Sequence, residues 1–140
     1  MLEFKWLLSN DTATYLLDSQ SIIVTKSDDN RLVYISIQIK IMPTNQGIKD
    51  EIALRKRYKK SAEGYEDYKY SLCHQIVSMS QNGGKFAIKN ISRIDYNKND
   101  DTLDYFTADN ASFIDAIPDS IGDKVAQKTF NYVKAHNRLR

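Results

Sequence analysis

From Arg31 to Met42 the chain alternates: Val33, Ile35, Ile37, Ile39 and Ile41 take every second position, with Tyr34, Ser36, Gln38 and Lys40 between them. A strand turns successive side chains to opposite faces, so this run has one apolar face and one amphipathic face. β-Branched residues in step fit a pleated surface better than a helix. The pattern predicts a long central strand of an antiparallel sheet with one face covered.

The same periodicity organises the rest. Phe4, Trp6 and Leu8 alternate and predict a first strand over residues 3–9. Tyr15–Asp18 and Ser21–Thr25 read as a second strand with a kink near Ser19-Gln20. Ser27-Asp28-Asp29-Asn30 is turn chemistry, and Pro43 ends the central strand. Residues 48–62 lose the alternation but carry helix formers. Ile48, Ile52 and Tyr58 are read on one side, Arg55, Lys56, Lys59 and Lys60 on the other, with Gly64 as a stop signal. Tyr68, Tyr70, Leu72, His74 and Ile76 restore the strand period as far as Ser80. Asn82-Gly83-Gly84 signals a hairpin, and Phe86, Ile88, Ile94 and Tyr96 mark its partner strand, with Ile91 out of phase as at a bulge. A turn at 97–101 precedes a short strand near Thr102–Phe106, and residues 107–117 read as a loop. Pro118-Asp119-Ser120 then opens a helix in which Ile121, Val125, Thr129, Tyr132, Val133 and His136 share a face. The expected architecture is α+β: an antiparallel sheet of about six strands, an inserted short helix, and a C-terminal helix packed on one face.

Length and composition limit what this domain does. At 140 residues the chain forms one domain (1–140) and buries a core without staples. No apolar run approaches the roughly 18 residues of a membrane span. The start, Met1 to Trp6, has no signal-peptide pattern, so the chain is expected in the cytoplasm unless a leader was removed. One cysteine, Cys73, excludes an internal disulfide and any multi-cysteine metal site.

The net charge of +2 hides a division. Residues 49–60 carry six basic and two acidic side chains, residues 95–123 eight aspartates and one lysine, and residues 124–140 five basic side chains and no acidic one. Such blocks steer a charged partner, or hold one segment of the fold or of a dimer against another.

Catalytic chemistry finds little support. Cys73 and His74 are adjacent, but neighbours on a strand face opposite ways and cannot pair. An enzyme built on His74 or His136 would need a nucleophile, a base and an orienting group, and no such set can be named. The acidic stretch at 97–101 lacks the ligand spacing, central Gly and closing Glu of a calcium loop, and no metal or cofactor is expected. The best candidate surface is Arg55, Lys56, Arg57, Tyr58, Lys59, Lys60 and Tyr65, where cations interleaved with aromatics suit nucleic acid, polyanionic sugar or acidic protein. Long strands bearing Tyr34 and Tyr70 also suggest a homodimer contact.

Three stretches carry a family likeness. Trp6 followed by Tyr15-Leu16-Leu17-Asp18-Ser19-Gln20-Ser21-Ile22, the segment Gly64–Leu72, and Ile117-Pro118-Asp119-Ser120-Ile121-Gly122-Asp123 resemble the bacterial surface-adhesin protein E family in order and spacing. The resemblance implies a small cell-envelope protein with an antiparallel sheet and helices, which binds protein or another macromolecule and has no enzyme activity. It implies location at the envelope or surface if a leader was removed. The given residues show no leader pattern, and Ser80 and Phe130 stand near the positions of the family's two cysteines, so the family disulfide is expected to be absent. An intracellular protein binding nucleic acid through its basic patch is the alternative.

Overall fold

The computed structural model describes residues 3–80, 85–108 and 111–136, and the Asn82-Gly83-Gly84 hairpin lies outside them. The chain folds as an antiparallel sheet with two helices on one face, the α+β class expected. In chain order the elements are β1 (Phe4–Ser9), β2 (Ala13–Asp18), β3 (Ile23–Lys26), β4 (Leu32–Pro43), α1 (Asn45–Arg57), β5 (Tyr68–Ser80), β6 (Ala87–Asn97), β7 (Thr102–Thr107), β8 (Ile114–Asp115) and α2 (Ile121–Ala135). The strand order is β1-β2-β4-β5-β6-β7, with β3 also on β4 and β8 also on β6. The alternating run is thus the central strand.

β2 and β3 lie end to end along β4: Leu17 sits opposite Ile39 and Ile23 opposite Ser36. They are separate strands rather than one kinked strand. Asp18 makes the break, because its Oδ1 accepts the backbone N–H groups of Glu3 and Gln20 at 3.0 Å each and draws the chain out of the ladder. Ile91 is the extra residue where β6 skips a partner between His74 and Gln75, the bulge expected from its phase. The loop 107–117 contains the short β8, whose two residues were too few to leave a pattern.

The odd positions of β4 face the helices. Val33, Ile35, Ile37 and Ile39 are almost fully buried and cluster with Val125 and Val133 of α2. Helix α2 starts at Ser120, whose side chain accepts the Asp123 N–H at 3.2 Å. Helix α1 covers the other end of the same face. It starts three residues earlier and ends five residues sooner than its composition suggested: Thr44 caps Gly47 N–H at 3.1 Å, and Tyr58 closes the helix. The Thr44 hydroxyl also donates to Asp11 O at 2.7 Å, tying the helix start to the β1–β2 turn. A Cβ at Gly47 would collide with the Thr12 carbonyl there, so only glycine allows that close approach. Gly64 is not a helix stop. It adopts φ +82° and leads into a 3-10 turn at Tyr65–Asp67.

Candidate functional site

Arg55 stands on the inner stripe of α1. Seven residues are close to two full helical turns, so Arg55 returns to the side of Ile48 and Ile52 while Tyr58 rotates off it. The expectation that Arg55 stays solvated opposite Ile48 therefore fails: it is only 9% exposed, and Tyr58 is the exposed residue. Tyr65 is a second correction. It is buried beneath Arg55, with the guanidinium 3.9 Å from its ring centroid, and offers no outer surface.

Both residues close over Asp95 of β6. Asp95 Oδ2 accepts the Tyr65 hydroxyl at 2.6 Å and Arg55 Nη2 at 3.4 Å; Oδ1 accepts the Ser71 hydroxyl at 2.5 Å and Arg93 Nε at 2.9 Å. Arg55 Nη2 also bonds Asp104 Oδ2 at 2.9 Å, and Arg93 Nη2 reaches the Tyr68 hydroxyl at 3.1 Å and Glu51 Oε1 at 3.4 Å. Burial alone would raise the Asp95 pKa. The Arg93 charge and the donated hydrogen bonds outweigh that, and hold the carboxyl below its ordinary range. Burial and the Asp95 hydrogen bond raise the Tyr65 phenol, so it stays protonated and donates. A carboxylate with four donors has no lone pair left for proton transfer. Asp95 is a structural anchor, and this is where the basic block at 49–60 meets the acidic block at 95–123.

Above this floor lies a cleft of about 340 Å³ between α1 and the β6–β7 edge, lined by Glu51, Leu54, Arg55, Tyr58, Lys60, Arg93, Asp95, Asp104, Tyr105 and Phe106. Its rim is aromatic and exposed: Tyr58, Tyr105 and Phe106 are each more than half accessible. Arg55 Nε is buried with no partner among the described residues. Lys56, Arg57, Lys59 and Lys60 are exposed beside it, and no carboxylate pairs with them among the described residues. The structure thus divides the candidate surface: Lys56, Arg57, Tyr58, Lys59 and Lys60 face outward, Arg55 and Tyr65 form the floor.

Sequence reasoning missed Glu51, Ser71, Arg93, Asp95 and Asp104. The available signal was Arg93 and Asp95 two apart on a strand, which puts opposite charges side by side on one face. The remaining reactive residues stay apart. Cys73 is buried on the helix face, and burial pushes its thiol up to about 11. His74 points to the other face, where its Nε2 lies 2.7 Å from Ser36 Oγ. His136 caps α2 and stacks on Tyr132. Among the described residues no cluster of three or more His, Cys, Asp or Glu could hold a metal ion, and no helix is long and apolar enough to cross a membrane. Compared with known proteins, the chain matches no family model, no curated protein and no solved structure.

Proposed function

We propose that this chain is a non-enzymatic binding module of the cell envelope, as the adhesin E resemblance implies, and that it takes an acidic segment of a partner protein at the aromatic-rimmed mouth beside α1. The observation that carries this reading is the division within one basic run. Arg55 is neutralised inside the fold, whereas Lys56, Arg57, Lys59 and Lys60 meet no carboxylate among the described residues. A helix C-terminus favours cations in its last turn, which accounts for part of the cluster. It does not account for Tyr58, Tyr105 and Phe106 standing exposed around the same cleft, where a partner's side chains find large rigid contacts.

Because the cations are exposed, their attraction is screened over about 8 Å at physiological ionic strength. Binding of labelled polyglutamate should therefore weaken with salt. It should be lost in the Lys56→Glu/Lys60→Glu double variant, while thermal stability stays within about 0.5 kcal/mol of the parent. Failure of the parent to bind at low salt, or equal binding by both proteins, would remove this reading. The alternative, nucleic acid held on this same basic helix, requires the double reversal to abolish oligonucleotide binding instead.

A further inference from the structure

Both helices pack against the odd-numbered face of β4, and at one end of the opposite face the segment around β8 walls a cavity of about 250 Å³. Its floor is one continuous row across four strands: Ile23 of β3, Ser36 of β4, Ile76 of β5 and Lys89 of β6. Three strand spacings make that row about 14 Å long. The neighbouring row supplies the wall. Thr25 stands opposite Tyr34 there, and the small residues Ser78 and Ala87 continue the row, which leaves room for the ring of Phe113 to meet that of Tyr34 at 5.8 Å. Pairing of Ile114 with Ile88, and a bond from Ala116 N–H to Phe86 O at 2.9 Å, hold the Phe113 segment on β6.

Ile23, Ile76, Tyr34 and Phe113 make the lining largely apolar, and polar groups break it at defined points. In the floor, Ser36 Oγ lies 2.7 Å from His74 Nε2, so the imidazole fixes the hydroxyl. Lys89 closes one end. Its ammonium lies 5.0 Å from the Phe113 ring centroid, and among the described residues no carboxylate comes within ion-pair distance of it. Asp115, the acid next to it in register, sits opposite Ala87 and takes no part in the lining. A lone cation at the end of an apolar slot selects one negative charge on an apolar body. A phosphate dianion would carry a second charge between walls that cannot solvate it, and an amine would meet a like charge. Size narrows the choice further. The volume exceeds the roughly 150 Å³ that holds benzene and falls short of the roughly 300–1,000 Å³ of drug-sized sites. Ser36 stands two strands from Lys89, about 10 Å, the reach of a ring with a carboxylate on one side and a hydroxyl on the other. We propose that this cavity binds a small aromatic monocarboxylate: carboxylate on Lys89, ring over Ile76 against Tyr34 and Phe113, and a ring hydroxyl on Ser36. The site lies on the other side of the sheet from the α1 mouth and uses none of its residues, so either reading can fail alone.

The test is a fluorine NMR titration with 4-fluorophenylacetate, alongside its uncharged amide, 4-fluorophenylacetamide. A ligand of this size should bind with a Kd of about 1 mM or below, and the amide at least tenfold more weakly. Lys89→Gln should weaken the acid at least tenfold and bring it level with the amide. Phe113→Ala should weaken both by about fivefold, since it removes one ring from the wall. As competitors of the probe, 4-hydroxyphenylacetate should outperform phenylacetate, and Ser36→Ala should erase that difference. Lys40→Gln, on the same face but outside the cavity, should change nothing, and the melting curve of Lys89→Gln should match the parent's. The proposal is overturned by absence of saturable binding up to about 10 mM, by equal affinity for acid and amide, or by unchanged binding in Lys89→Gln. Loss of binding in Lys56→Glu/Lys60→Glu with Lys89→Gln unaffected would also overturn it, placing the probe at the α1 mouth.

Discussion

Asp95→Asn removes one charge from the network under α1 and leaves its shape nearly intact. The amide loses the attraction to two guanidinium groups, and its NH₂ turns a donor toward groups that already donate, namely the Tyr65 and Ser71 hydroxyls and the two arginines. Breaking a buried ion pair by removing one partner costs about 3–5 kcal/mol. Here Arg55 keeps Asp104 at 2.9 Å and Arg93 keeps Glu51 at 3.4 Å, so the low end, about 3 kcal/mol, is expected. Unfolding entropy of about 2.1 cal/mol/K per residue over 140 residues gives about 0.29 kcal/mol/K, hence a melting point about 10 °C lower. The pH dependence has a definite sign. The folded pKa of Asp95 is depressed, so its stabilisation is complete above the unfolded-state value near 3.9 and disappears as pH falls through the folded value. Urea unfolding of both proteins from pH 7 downward should show a wide gap that narrows below about pH 4. A gap under about 1 kcal/mol at pH 7, or one that stays constant into acid, would refute the assignment of Asp95 as the charged anchor.

Two further outcomes check the fold itself. Ile37→Asp places an unpaired carboxylate beneath α2 and should cost several kcal/mol or unfold the domain, whereas Ser36→Asp, on the open face, should stay within about 1 kcal/mol; equal urea midpoints would disprove the strand register. The Cys73 thiol, pushed up to about 11 by burial, is about one part in a thousand thiolate at pH 8, so a disulfide reagent should label it at least a hundredfold faster in denaturant than in the native protein.

The sequence by itself determined the α+β class, the central strand and its covered face. Period-2 alternation in 31–42 and 68–80 set which residues of β4 lie inside, the phase slip at Ile91 announced a bulge, and Ser120 announced the start of α2, because strand faces and helix caps depend on neighbours a few residues away. Composition could not say which of two like-charged neighbours turns inward. Arg55 and Lys56 look alike in the chain, and only the docking of α1 over Asp95 buries the first and leaves the second in water. Tyr65 is separated from Asp95 by 30 positions, and Arg55 from Asp104 by 49, so no local pattern joins them. Alternation also marked the bare face of β4, since its odd positions are the apolar ones that α2 covers. Only the tertiary structure decided which residues join Lys40 on that face: Trp6, Leu16, Leu72 and Ile94 fall into its row through strand pairing, which joins positions far apart in the chain.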